Sequence, residues 1–145
     1  MTSFVRHITF DCAPPHEPYD VARFWSGVLG RPVDPVDEPG DDEVALEVPE
    51  GQPTLLFVRV SGEKTLKNRV HLDLRPDRPR DEEVERVAAL GGTIVDDRRN
   101  PEGGGWVVFA DPAGNEFCIE GSAEEHAEAE RAYWAARAGE RPGDA

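Results

Sequence analysis

The sequence passes twice through one pattern, and that repeat constrains the fold more than any other feature. RHITF (Arg6 to Phe10) and VHLDL (Val70 to Leu74) each set a histidine early in a short alternating run, and His7 and His71 stand 64 positions apart. The segments YDVARFWSGVLG and DEEVERVAALGG each follow such a run and end on leucine and glycine; Gly30 and Gly91 stand 61 positions apart. VLGRPV in the first half matches ALGGTIV in the second. A unit repeated at this spacing has one apolar face covered by its own helix, and its other face must meet a second copy or a ligand.

Periodicity fills in the elements. From Phe4 to Cys12 the chain alternates, with Ile8, Phe10 and Cys12 on one side and His7, Thr9 and Asp11 on the other. Val21, Phe24, Trp25, Val28 and Leu29 then form one apolar helix face, which Gly30 is suited to end. Arg31 to Val33, Val44 to Val48 and Thr54 to Val60 read as strands, with the polar run DPVDEPGDDE as a loop before the second. The second half opens with a strand over Arg69 to Leu74 and continues with a helix capped by Asp81, whose Val84, Val87 and Ala88 turn inward. Strands follow over Thr93 to Asp96, Gly105 to Ala110 and Glu116 to Glu120, with DPAGN as the turn between the last two. Ser122 and Glu125 fit the capping box of a third helix that Gly139 is placed to end.

The order is strand, helix and three strands, twice over. The fold class expected is α+β: two βαβββ modules whose eight strands form a cupped, incompletely closed barrel, plus a C-terminal helix. Residues 1–121 are read as a single domain, module one at about 4–60 and module two at about 69–121, with 122–145 as the terminal helix and tail.

Charge narrows the partners. Thirty acidic residues against 16 basic give a net charge of −14. A field of that sign repels phosphate backbones and anionic lipid, so nucleic acid and membranes are not expected partners. MTSFVRHITF has no basic region followed by a long apolar one, and no apolar run reaches the length of a membrane span. Cys12 and Cys118 form no CxxC motif and read as reduced thiols in a cytoplasmic protein.

With RHITFDC opening the first module, ARFWSGVLGRPV in its helix, HLDL opening the second and DPAGNEFCIE at the end, residues 4–121 resemble the vicinal oxygen chelate superfamily. The nearest resemblance is to its glyoxalase-like, bleomycin-resistance-like domains. The resemblance implies a small-molecule ligand in the cup and a homodimer. In the enzymes of this group a divalent metal chelates two substrate oxygens and stabilises developing negative charge. Carried over by position, His7, His71 and Glu120 match metal ligands. The fourth position falls on Val58, which cannot bind a metal. Two histidines and one carboxylate suit Fe or Mn and are tolerable for Zn or Ni.

Strand parity bears on the same residues without the family. His7, Thr9, Asp11, His71, Asp73, Cys118 and Glu120 all fall on the faces opposite the apolar alternates. Against a metal, Asp11 and Asp73 can instead pair with the histidines in a polar, metal-free cup. His16 and His126 read as surface groups, Phe24 and Trp25 as core, and Trp106 as either a pocket wall or an edge cover. Arg59, Lys64, Lys67 and Arg69 put four cations near the cup, as surface balance or to capture an oxygen-rich ligand. The terminal helix, with Tyr133 and Trp134 adjacent, is either solvated or set against another subunit. Three functions stay open: a metal-dependent lyase, isomerase or dioxygenase; a metal-free small-molecule or antibiotic-binding protein of the resistance type; and an interaction module with a vestigial site.

Overall fold

A computed structural model describes residues 2–138. The expected helix stop at Gly139 lies outside the described residues. In chain order the elements are β1 (His7–Cys12), α1 (Pro18–Leu29), β2 (Glu43–Ala45), β3 (Thr54–Arg59), β4 (Leu72–Leu74), α2 (Arg80–Ala89), β5 (Thr93–Asp97), β6 (Trp106–Ala110), β7 (Glu116–Glu120) and α3 (Ala123–Ala136).

The fold is α+β, with two sheets and, among the described residues, no closed barrel. The first sheet has the order β1-β3-β2 and the second β4-β7-β6-β5. In both, the opening strand lies parallel to the closing one: β1 along β3 and β4 along β7. The repeat legible in the sequence is thus a repeat in topology. Its first copy is incomplete, because the strand expected over Arg31 to Val33 is only one antiparallel bridge, Val33 to Leu46. Pro32 and Pro35 flank that bridge and carry no backbone N–H for a ladder.

Each sheet turns its apolar side to the helices. Phe10, Cys12, Leu55 and Phe57 are buried from the first sheet and Val107, Phe109, Phe117 and Ile119 from the second. All belong to one core cluster that also takes in α1. Trp25 on α1 ties the halves together. Its ring lies 5.2 Å from that of Phe10 and 4.7 Å from that of Phe117. Its Nε1–H donates to Asp111 Oδ2 at 2.9 Å. Burial of each such side chain contributes about 1.5–3 kcal/mol.

A second tie joins the helices. Arg86 on α2 donates to the carbonyls of Gly27 and Val28, each at 2.8 Å, and so occupies carbonyls at the C-terminal end of α1 that lack helical partners. Gly30 ends that helix with φ 64°, a left-handed conformation that costs glycine little.

Two expectations for α2 are corrected. Pro79, not Asp81, precedes the helix, and its own side chain makes no capping hydrogen bond; Asp81 stands in the first turn and pairs with Arg99 at 2.8 Å. The backbone N–H of Arg80 donates instead to Glu125 of α3 at 3.0 Å. Ala88 is exposed, while Glu83 is buried with Val84 and Val87. The Glu83–Arg86 pair at 2.6 Å makes that burial tolerable.

Candidate functional site: the hollow of the second module

The face of the second sheet turned away from the helices is the floor of a hollow of about 730 Å³. Strand register explains what lines it. Asp73 on β4 sits directly beside Cys118 on β7, and Cys118 beside Val108 on β6. Two residues further along β7, Glu120 pairs with Trp106. His71 precedes β4 by one residue and lines the same hollow as Asp73, Cys118, Glu120, Trp106 and Val108. The linker between the modules supplies Lys64, Thr65, Leu66 and Lys67 to its rim.

The floor is polar on the β4 side and apolar toward β6. His71 Nδ1 and Asp73 Oδ1 lie 3.0 Å apart, so the carboxylate fixes the ring and leaves Nε2 for another partner. One donor atom each from His71, Asp73 and Cys118 lies within 4.8 Å of the others. Cys118 is buried, and that burial, followed by the charge of Asp73 and a hydrogen bond to it, pushes the thiol up to about 11. It is therefore a neutral thiol at physiological pH. Glu120 carries a looser ion pair with Arg75 at 3.6 Å. Lys67 reaches across the rim to Glu116 at 2.7 Å, and Lys64 donates to the carbonyl of Leu66 at 2.5 Å.

The residues singled out in the sequence separate into groups. His71 and Glu120 share the hollow. His7 lies at the start of β1, on the exposed face of the other sheet, and is not part of that lining. Val58 pairs with Asp11 and is half-buried on that sheet. Of the four cations expected near the cup, Lys64 and Lys67 line it. Arg59 is instead held by Glu17 at 2.6 Å and Asp42 at 2.7 Å in the first module, and Arg69 is exposed outside the lining. His126 is exposed and His16 half-buried. Trp106 is settled as a pocket wall, still partly open to solvent.

Val95, Asp96 and Arg98 also line the hollow, and the sequence reading missed them. A register irregularity between Ile94 and Asp96 breaks the alternation of β5, so both Ile94 and Val95 are exposed and parity cannot sort them. Val108 was within reach of the same parity argument that found Cys118.

A divalent metal is what the donor types invite. Imidazole, carboxylate and thiol groups converge on one concave surface, and the imidazole is already oriented by a carboxylate, as metal-binding histidines are. The residues present fit such an ion.

Two sheets of related topology and a concave face with convergent donors define an α+β protein built from two similar modules, the first one strand short. A family profile described as "Glyoxalase-like domain" matches residues 7–120, and the chain belongs to that family. Among solved structures, a glyoxalase-related enzyme from Fulvimarina pelagi is similar at 21% identity and TM-score 0.57, covering 82% of this chain and 88% of that one. A glyoxalase/bleomycin resistance protein/dioxygenase family enzyme from Burkholderia phytofirmans has 18% identity and TM-score 0.56, with coverage of 81% and 98%. The fosfomycin resistance protein FosX from Listeria monocytogenes, in a mutant form complexed with Mn(II) and 1S,2S-dihydroxypropylphosphonic acid, has 19% identity and TM-score 0.58, with coverage of 86% and 95%. At these identities the likeness is one of fold. No functionally curated protein matches the sequence. Among the described residues no helix is long and apolar enough to cross a membrane.

Proposed function

We propose that this chain binds a small, oxygen-rich organic molecule in the hollow of its second module and acts on it as a metal-dependent enzyme of the lyase, isomerase or dioxygenase type. The observation that carries the reading is the oriented imidazole of His71 facing the hollow of the second sheet. His71 and Glu120 are the ligands this hollow offers to the expected set. His7 completes it from a second copy in a homodimer, since its own chain leaves it exposed on the other sheet. When bound, an Fe, Mn, Zn or Ni ion supplies Lewis-acid stabilisation of substrate oxygens. Asp73 holds the imidazole tautomer, Trp106 and Val108 exclude water from one wall, and Lys64 and Lys67 attract a partial negative charge at the rim. Two buried, unpaired cysteines are in keeping with a reducing, cytoplasmic setting.

The metal-free alternative, a resistance-type binding protein, draws on the half-buried Val58 at the fourth ligand position and on the apolar wall of the hollow. Metal analysis of protein purified without chelator, with His71→Ala as control, discriminates the two. Retention of a divalent ion by the wild type and its loss in the variant support the enzyme. Thermal stabilisation by an organic ligand in excess EDTA, with no ion retained, supports the binding protein.

A further inference from the structure

The geometry points to a thiolate-containing metal site made by His71, Asp73 and Cys118 within a single chain, of a kind that prefers a thiophilic ion such as Zn²⁺ or Cd²⁺. This rests on the reading of the second-module hollow as the functional site. It goes beyond that reading in naming Cys118 as a ligand and in needing no second copy.

Parallel register is the first support. The pairing of Leu72 with Phe117 and of Leu74 with Ile119 holds Asp73 against Cys118 on the same sheet face. The donors of these two residues and of His71 already lie within 4.8 Å of one another. Metal–sulfur bonds of about 2.3 Å and metal–nitrogen bonds of about 2.0–2.1 Å put tetrahedral donors about 3.3–3.6 Å apart, so the outermost pair closes by about 1 Å. The ion takes the place of the proton between His71 Nδ1 and Asp73 Oδ1, now 3.0 Å apart, and rotation of these two exposed side chains supplies the approach to Cys118. Cys118 is fixed by burial and is the anchor.

Composition is the second support. One nitrogen, one oxygen and one sulfur donor form a set that favours zinc-like ions over iron or manganese. All three rise from a concave floor, so a bound ion keeps a coordination position facing the hollow, where a substrate oxygen or water fits. Glu120 is less suited, because it stands two residues further along β7 and is engaged by Arg75 at 3.6 Å. Binding is a plain exchange: the sulfur–metal bond forms as the thiol proton passes to solvent, with no change of oxidation state.

Co²⁺ titrated into the metal-stripped full chain is the test, because a cobalt–thiolate bond has a near-ultraviolet charge-transfer absorption that histidine and carboxylate ligands do not give. The band should saturate at one ion per chain. Cys118→Ser, a near-isosteric change, should abolish it and weaken Zn²⁺ binding more than about tenfold. His71→Gln at an exposed position should weaken binding comparably without touching the core. Cys12→Ser, at the other thiol, should leave the band intact. A band that survives in Cys118→Ser, or that never appears, overturns the inference. Cobalt binding without the band, lost in His7→Ala or Glu120→Gln, also overturns it while leaving the proposed function standing. No binding by any variant overturns it together with the metal-dependent reading, and leaves the EDTA-resistant ligand assay to judge the binding protein.

Discussion

Asp111 is only 3% exposed, yet its carboxylate is fully engaged. It accepts hydrogen bonds from Trp25 Nε1 and from the backbone N–H groups of Ala113 and Asn115, all at 2.9 Å, and from Asn115 Nδ2 at 3.1 Å. One residue therefore shapes the DPAGN turn that aims β7 and pins the helix of the other module. Replacement by alanine orphans several of those buried donors, at a cost of about 3 kcal/mol or more. Chemical denaturation of Asp111→Ala should show that loss as a lowered midpoint. The cysteines give a second prediction at this scale. Burial, followed by the charges of Asp111 and Asp11, pushes Cys12 up to about 12, and Cys118 is raised to about 11. Because the thiolate is the reactive form, both should react slowly with a disulfide reagent at pH 7–8 in the metal-free native protein. Both should react fast once the chain is unfolded. Rapid titration of either thiol in the folded state would contradict this burial.

At the scale of elements, Glu125 is the clearest joint. It closes a capping box with Ser122 at the start of α3 and also accepts the first backbone N–H of α2 at 3.0 Å. One carboxylate thus serves two helix N-termini, where negative charge is favoured. Burial acts to raise its pKa, but the hydrogen bonds from Ser122 and Arg80 outweigh it, and the net shift is downward. A lowered folded pKa means the stabilisation is present above the ordinary glutamate value of about 4.3. It is lost as pH falls through the folded value. Glu125→Gln should flatten the acid limb of the stability curve, and Glu125→Ala should cost about 1–2 kcal/mol at pH 7. Thermal melts across pH 3 to 7 provide both readings. Elsewhere α3 buries no side chain, and Tyr133 and Trp134 remain about half exposed. A lone helix of this length is marginal in water, so its capping carries unusual weight.

For the whole molecule the question is whether the first-module histidine ever meets the second-module hollow. If His7 is donated by a second copy, His7→Ala and His71→Ala chains should each lose tight metal binding as homodimers. Co-refolded, the two should regain it in heterodimers, where one of the two composite sites has both histidines intact. Metal stoichiometry of the mixed sample, read with light scattering for mass, checks this. Failure to regain binding, with each variant folded and dimeric, argues against a composite site. It would leave only what one chain assembles: His71, Asp73 and Cys118.

The repeat, the polar side of each sheet and the strand-helix order apart from the strand expected over Arg31 to Val33 were legible in the sequence, because alternation and helical periodicity are local and burial enforces them. Phe10, Trp25, Phe117 and Ile119 went to the core as their spacing required, and His71, Asp73, Cys118 and Glu120 to the opposite face. Register and the packing of the halves were not legible, since they arise from contacts between remote segments. Only the tertiary structure sets Cys118 rather than Glu120 beside Asp73. It also sends Arg59 to Glu17 and away from the hollow, and it breaks the alternation of β5 with a register shift. The sequence decides which side chains leave the core; parallel pairing between strands more than forty residues apart in the chain decides which of them become neighbours.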